Sequence, residues 1–116
     1  MTASIPSTGR LYHIFLVNFA IMRAMKRTEL EEEIRQVILS SVEVDGLTAA
    51  DLASDAQLFG EGVGLDSIDA LEIGAALRRK YQVKFKANSD ENRAHFRTIA
   101  ALASFIASAV GIALED

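Results

Sequence analysis

The chain contains no cysteine, and its only proline is Pro6. Without cysteine the protein can form no disulfide bond, no thiolate metal site and no cysteine nucleophile. Any thiol chemistry would therefore have to be supplied by a cofactor. Histidine is also scarce, since the sequence has only His13 and His95. These two lie too far apart in sequence to form a ligand-spaced pair. We therefore expect no metal site and no catalytic residue of these types.

Sequence typical of β-strands is equally sparse. The alternation of β-branched and aromatic residues that marks strands is nearly absent, whereas alanine and leucine are common. At 116 residues the chain has room for one domain, with a core large enough to fold without metal or disulfides. The composition therefore favours a single all-α domain.

Charge is distributed unevenly, although the net value is only -4. From Lys26 to Glu72 three basic residues stand against twelve acidic ones, whereas from Ile73 to Arg97 seven basic residues stand against two acidic ones. An acidic first half argues against nucleic acid as the main partner, because phosphate backbones bind cationic surfaces. We interpret the basic run Arg78–Lys80 as a solvated helix face that does not bind nucleic acid. It remains a candidate contact for protein partners.

The first 25 residues differ from the rest of the chain. They contain the uncharged run Leu11–Met22, which is shorter than the stretch of about 20 apolar residues that spans a bilayer, so we expect no stable membrane insertion. No small-residue cleavage site follows the run. Three interpretations stay open: an interfacial segment, an incomplete export signal, and a start assigned too far upstream, with Met22 or Met25 as the true start. We favour the third, and expect an N-terminal extension over residues 1–25 and one folded domain over residues 26–116.

Capping and periodicity predict a first helix from Thr28 to about Glu43. Thr28 and Glu31 have the spacing of a capping box, in which a hydroxyl and a carboxylate satisfy the first free amides of a helix. Apolar residues recur at helical spacing and define one buried stripe, made of Leu30, Ile34, Val37, Ile38 and Val42.

A long connection, Val44–Asp66, follows this helix. Long loops that are anchored to a core are more often functional than accidental. Thr48–Asp51 predicts a short helical turn, and glycines at 60, 62 and 64 predict a flexible approach to the next element. The expected anchors are Leu47, Leu52, Leu58 and Phe59.

Three further helices are predicted after this loop. The second helix runs from Ser67 to Tyr81, a short third helix spans Asn92–Phe96, and Thr98 caps a last helix that ends near Gly111. The expected apolar side of the second helix consists of Ile68, Leu71, Ala75, Leu77 and Tyr81, and that of the last helix consists of Ile99, Leu102, Phe105, Ile106 and Val110. The predicted fold is an all-α bundle of three main helices plus one short helix. His95, beside Phe96 in the third helix, is expected to have a packing role.

The segment Gly64–Ile73, GLDSIDALEI, delivers a serine to the start of the second helix. The hydroxyl of Ser67 should therefore be exposed, and the free amides and dipole of the helix end favour a phosphate attached to it. No histidine or lysine lies near Ser67 in sequence to act as a base, so another protein would have to perform the chemistry. Taken alone, an aspartate followed by a serine more often forms an ordinary helix cap.

In its wider context this segment resembles the acyl carrier protein family. The resemblance rests on Leu58–Ile73, LFGEGVGLDSIDALEI, because the family's signature is Asp-Ser-Leu at the start of the second helix. It extends over the arrangement of helices and loop from Thr28 to about Ala109. Ile68 stands in place of the usual leucine, which is a conservative change.

The resemblance implies a carrier function and a set of site residues. A separate phosphopantetheinyl transferase would join 4′-phosphopantetheine from coenzyme A to Ser67, using magnesium that enters only with the transferase. The arm would end in a thiol that carries acyl groups as thioesters between enzymes. Asp66 would lie beside the phosphate and help to place the transferase, and Leu65, Ile68 and Leu71 would border the arm.

Partner recognition is expected to depend on the charges of the second helix. Carriers of the fatty-acid type present an acidic second helix to basic patches on their enzymes, and Asp69 and Glu72 keep that character. Arg78 and Arg79 reverse it one to two turns later, which should repel a partner built for a uniformly acidic helix. Together with a likeness to carriers of aryl-polyene and polyketide-like clusters, this predicts acyl synthetase or ketosynthase-type partners in a specialised pathway.

Other functions stay open at this point. A peptidyl or aminoacyl carrier shares the fold, but typically has Gly-Gly-x-Ser around its serine. A non-enzymatic helical adaptor would remain if Ser67 were only a cap, and a serine hydrolase is disfavoured because Gly64–Ile68 is not a nucleophile elbow. We expect a cytoplasmic, monomeric and non-enzymatic carrier in fatty-acid, polyketide or specialised lipid biosynthesis.

Overall fold

The chain folds into helices joined by one long loop, and the computed structural model describes residues 24–85 and 90–115. In chain order the elements are β1 (Ala24–Lys26), α1 (Arg27–Ser41), a 3-10 turn (Ala49–Asp51), α2 (Ser67–Tyr81), α3 (Asp90–His95), α4 (Ile99–Val110) and β2 (Ala113–Glu115). Helix α1 packs against both α2 and α4, and the short α3 lies against α4. The predicted all-α fold of three main helices and one short helix is confirmed. Within the described residues no helix has the length and apolarity needed to span a bilayer.

Helix α1 begins earlier than its predicted cap. Lys26 is the N-cap residue, and its backbone N–H donates to the Glu29 carboxylate over 3.1 Å. Thr28 therefore lies inside the first turn, and the prediction that it caps the helix is wrong. The physical reason is that β1 ends at Lys26 and leads the chain straight into the helix. The helix ends at Ser41, before the predicted Glu43.

Glu31, the other residue of the predicted capping box, is buried instead of exposed. Its carboxylate accepts a hydrogen bond from the Ser54 hydroxyl and lies 3.7 Å from the Arg27 guanidinium. Buried carboxylates are costly unless they are paired and hydrogen-bonded, so these contacts allow the burial. They also tie the middle of the long loop to α1.

The core is built from one face of each main helix and from residues of the loop. The stripe predicted on α1 is largely confirmed, because Leu30, Ile34 and Ile38 are fully buried. Besides these, the core consists of Val42, Leu52, Leu58, Leu65, Ile73, Leu77, Tyr81, Val83, Phe96, Ile99, Leu102, Ala103, Ile106, Ala107 and Ile112.

The predicted apolar side of α2 is wrong for its first two turns. The side chains of Ile68 and Leu71 are 64% and 75% exposed, whereas Ile73 and Leu77 are fully buried. Residues 73, 77 and 81 are spaced at four-residue intervals and share the face toward the core, which turns residues 68 and 71 to the opposite side of the helix. Two large apolar side chains thus stand in solvent near the start of α2.

The last residue of α2 fixes this helix against α1. The Tyr81 hydroxyl donates a hydrogen bond to the Glu33 carboxylate over 2.7 Å, and the tyrosine ring is buried. Burial, followed by the hydrogen bond to Glu33 and its negative charge, raises the pKa of the Tyr81 hydroxyl well above its usual range. The phenol therefore stays protonated and keeps donating across the pH range in which proteins are normally studied.

Backbone hydrogen bonds hold the long loop to the start of α4. The Leu58 N–H donates to the Arg97 carbonyl and the Ala100 N–H donates to the Ser54 carbonyl, each over 3.0 Å. The predicted helical turn is confirmed as the 3-10 turn Ala49–Asp51. The loop is therefore a structural element of the domain, as its buried leucines predict.

Two three-residue strands that the sequence analysis does not predict join the two ends of the described chain. β1 and β2 pair in parallel, with Met25 opposite Leu114. The pair includes Ala24 and Met25, which the sequence prediction assigns to the N-terminal extension. The apolar run Leu11–Met22 lies outside the described residues.

Candidate functional site

Two carboxylates hold the start of α2 in place. Asp66 is the N-cap residue, and its side chain accepts a hydrogen bond from the Asp69 N–H over 2.9 Å. The Asp69 carboxylate in turn accepts from the Asp66 N–H over 2.9 Å. This reciprocal capping box is formed without Ser67, the first residue of the helix. The Ser67 hydroxyl is left exposed at the helix N-terminus.

The loop that leads into α2 forms a tight turn. The Leu65 N–H donates to the Leu58 carbonyl over 3.0 Å, and Gly64 has a φ of +92° that side-chain-bearing residues rarely adopt. A Cβ atom at Gly62 would lie 2.0 Å from the Gln57 carbonyl oxygen, so no larger residue fits there. The glycines therefore permit a close hydrogen-bonded turn, in place of the flexible approach predicted from the sequence.

Beside Ser67 a groove of about 900 Å³ opens between α2, α3 and the long loop. Its volume lies within the range of small-molecule sites, and its lining is mostly apolar. The lining residues are Gln57, Phe59, Leu65, Asp66, Ser67, Ala70, Leu71, Gly74, Ala75, Arg78, Phe85, Asn92, Arg93, Phe96 and Arg97.

Three phenylalanines from different segments form the aromatic wall of the groove. The Phe96 ring meets the Phe59 ring edge-on at a centroid distance of 6.3 Å and tilts against the Phe85 ring at 5.0 Å. A Cβ atom at Gly74 would lie 3.6 Å from the Phe96 ring, an ordinary van der Waals contact, so the wall packs directly beside α2 at this position. The sequence does not predict this wall, because only the tertiary fold brings residues 59, 85 and 96 together.

The structure places the predicted site residues on two adjoining surfaces. Those that line the groove are Ser67, Asp66, Leu65, Leu71 and Arg78. Those on the outer surface of α2, away from the groove lining, are Ile68, Asp69, Glu72 and Arg79. The first group is suited to hold an attached group, and the second is suited to meet a protein.

The groove also carries basic residues that the sequence analysis did not single out. Arg93 on α3 and Arg97 just after it line the groove together with Arg78 of α2. All three side chains are exposed at its rim. His95, on the same short helix, stacks its ring on Phe105 at a centroid distance of 4.1 Å, which confirms its predicted packing role.

Ser67 differs from the other serines of the described chain. The Ser40 hydroxyl donates to a carbonyl of its own helix, that of Ser54 donates to a buried carboxylate, and that of Ser104 accepts from an arginine. Ser41 is half-buried at the end of α1, and Ser108 is exposed on α4 and does not line the groove. Within the part of the chain that the structure describes, Ser67 makes no side-chain hydrogen bond, and it alone among these serines borders the groove.

Comparison with known proteins is consistent with this site. The family model described as "Phosphopantetheine attachment site" matches residues 32–106, well over half of the chain. The matched range includes every residue that lines the groove. No curated protein matches the chain at a significant level.

Proposed function

Since the chain belongs to the phosphopantetheine attachment site family, whose carrier domains hold 4′-phosphopantetheine covalently on a serine, we propose that Ser67 is the attachment residue and that the cargo is an acyl group. When bound, this cofactor supplies a flexible arm with a terminal thiol, which holds cargo as a thioester. It thereby supplies the thiol that a chain without cysteine lacks.

One observation carries this proposal. The Ser67 hydroxyl is exposed, makes no hydrogen bond within the described residues, and stands at the N-terminus of α2 on the edge of the groove. The free amides and positive dipole end of a helix N-terminus stabilise a phosphodiester there. The adjoining groove offers an apolar surface on which an arm and its cargo can lie.

Ser67 acts as a passive acceptor in the attachment reaction. Its oxygen would form a new bond to the phosphorus that carries the pantetheine group of coenzyme A, the bond from that phosphorus to 3′,5′-ADP would break, and the hydroxyl proton would pass to a base of the transferase. No histidine or lysine is among the groove-lining residues of the described chain. Asp66 uses one carboxylate oxygen for its cap, and we propose that the other helps to place the transferase.

Intact mass spectrometry tests the attachment site. The apo-protein is incubated with coenzyme A, magnesium and a broad-specificity transferase, and we expect a gain of one phosphopantetheine per chain. The gain should be lost in Ser67→Ala and kept in the control Ser104→Ala, which alters another serine of the matched range. A gain that survives Ser67→Ala, or no gain in the wild-type chain, would contradict the proposal.

The exposed side of α2, which includes its outer surface and the adjoining edge of the groove, supports a proposal about partners. The exposed apolar residues Ile68 and Leu71 are followed by Glu72 and then by the exposed cations Arg78 and Arg79. We propose that this surface serves acyl synthetase or ketosynthase-type enzymes of a specialised, aryl-polyene or polyketide-like pathway. Such partners would present a basic area near the helix start and an acidic one near its end.

Charge reversal at the end of α2 tests this choice of partners. Arg78→Glu/Arg79→Glu should increase acyl transfer to housekeeping fatty-acid enzymes, because it removes the repulsion of their basic docking faces. Lys84→Glu, which changes an exposed cation beyond the helix, serves as the control. Equal transfer rates for the wild-type and the doubly substituted carrier would count against a specialised partner.

A further inference from the structure

Three arginines at the groove rim are without hydrogen-bond or ion-pair partners in the part of the chain that the structure describes. Arg78, Arg93 and Arg97 are exposed, and within the described residues none of their side chains makes a hydrogen bond or ion pair. Among the described residues, Asp66 is the only acidic one that lines the groove. It lies roughly 18 Å along the axis of α2 from Arg78, from the rise per residue of an α-helix, and it caps that helix.

The position of Arg78 separates this cation from the attachment point. Ser67 and Arg78 lie on the same groove, eleven residues and therefore roughly 16 Å apart along the helix axis. An extended arginine side chain covers less than half of that distance, so Arg78 does not reach a phosphate fixed on Ser67. What lies between them is the apolar stretch of Ala70 and Gly74, faced by the phenylalanine wall.

We propose that the groove selects acyl cargo whose distal end carries a negative charge, such as the carboxylate of a dicarboxylic acyl group. This inference rests on the proposed attachment at Ser67. The apolar floor and the phenylalanine wall hold the hydrocarbon part of the cargo, and Arg78 meets its anionic end, while Arg93 and Arg97 add positive charge to the groove. Guanidinium groups suit this task because they bind carboxylates through two parallel hydrogen bonds. An acyl group that ends in a methyl group offers these guanidinium groups no partner.

Two cargoes of equal length test the inference. The apo-protein is loaded by the transferase from octanoyl-coenzyme A or from octanedioyl-coenzyme A, and intact mass spectrometry verifies that each chain carries one acylated arm. Neutral hydroxylamine then cleaves the thioester, and the cleavage rate reports how well the cargo is held in the groove. Because hydroxylamine is uncharged, the charge of the cargo affects its approach little.

The octanedioyl thioester should be cleaved about two- to fivefold more slowly than the octanoyl thioester, the effect expected for exposed ion pairs. This difference in cleavage rate should disappear in Arg78→Gln/Arg93→Gln/Arg97→Gln and persist in Lys84→Gln, which alters an exposed cation that does not line the groove. It should also shrink in the wild-type protein at 1 M salt, where charges are screened beyond about 3 Å.

Three results would overturn the inference while leaving the attachment at Ser67 intact. These are equal cleavage of the two cargoes on the wild-type protein, an advantage that survives in the triple variant, and an advantage that is independent of salt. If the arginines instead bind the phosphate of the arm, the two cargoes behave alike, which is the first of these results. A missing arm in the mass spectrum would instead overturn the proposed function itself.

Discussion

Replacing Tyr81 with phenylalanine removes the one hydroxyl that ties the end of α2 to α1. The ring stays the same size, so the main effect is the loss of a 2.7 Å hydrogen bond to the Glu33 carboxylate. Hydrogen bonds to charged groups contribute about 1.5–3 kcal/mol when they are buried. Because Glu33 is only half-buried, we expect a loss of about 1 kcal/mol in the free energy of unfolding. That corresponds to a decrease in Tm of about 4–8 °C for a domain of this size.

The effect of this substitution on the free energy of unfolding should also depend on pH. Since the pKa of Tyr81 is raised in the folded state, its stabilising effect is complete below about pH 10, the value for an exposed tyrosine. Above that pH the unfolded chain releases the phenolic proton while the folded chain keeps it. The free energy of unfolding of the wild-type protein then falls by up to about 1.4 kcal/mol per pH unit through this residue alone. The phenylalanine variant lacks this contribution, so the two stability curves should cross near pH 11.

Urea unfolding followed by circular dichroism from pH 7 to pH 11 measures both effects. Glu33→Gln is the matched control, because it keeps a hydrogen-bond acceptor for the tyrosine and removes only the charge. It should cost less than the tyrosine substitution at pH 7. Equal stability of wild-type protein and Tyr81→Phe at pH 7, or parallel curves above pH 10, would refute the assignment of this hydrogen bond.

Three further substitutions test other parts of the structure. Asp66→Ala should lower the free energy of unfolding by about 1 kcal/mol through loss of the N-cap, whereas Asp66→Asn keeps the cap and should slow only attachment of the arm, as measured by mass spectrometry. Ile68→Ser or Leu71→Ser should change stability by less than about 0.5 kcal/mol, because both side chains are exposed, yet should slow acyl transfer to partner enzymes. Gly62→Ala should disrupt the turn before α2, since its Cβ would overlap the Gln57 carbonyl, and should reduce both Tm and the rate of arm attachment. Unchanged values for any of these would contradict the corresponding contact.

Features set by local sequence could be predicted well. The bounds of α2 match the prediction, and the Thr98 side chain accepts from the Ala101 N–H over 3.0 Å at the start of α4 as expected of a cap. The position of Ser67 follows from the same local signals. In each case a short polar residue directly before an apolar periodic segment defines the helix start, and no distant contact is needed.

Features that depend on distant contacts could not be predicted in this way. The three-residue strands β1 and β2 carry no local pattern, and they become strands only because the fold brings them together. Their pairing is also why the first helix begins at Arg27 and Thr28 is not its cap. The rim position of Arg93 and Arg97 likewise depends on where α3 lies relative to α2.

The prediction of the apolar face of α2 was wrong for a different reason. This helix carries apolar residues on more than one side, because Ile68 and Leu71 point to solvent while Ile73 and Leu77 fill the core. Periodicity alone does not distinguish a side chain that stabilises the fold from one that is available to a partner.

The small size of this exposed apolar surface has a kinetic consequence. Two side chains on one turn of a helix bury far less area than the about 1,200 Å² at the lower end of stable, specific interfaces. A complex built on them should be weak, and at a dissociation constant of about 1 μM with ordinary association rates it would separate at about 0.1–10 s⁻¹. A protein that must visit several enzymes in succession needs such brief encounters, because a tightly held carrier would deliver its load to one enzyme and reach no other. Enlarging this patch by mutation should therefore strengthen binding to one enzyme while slowing the pathway as a whole.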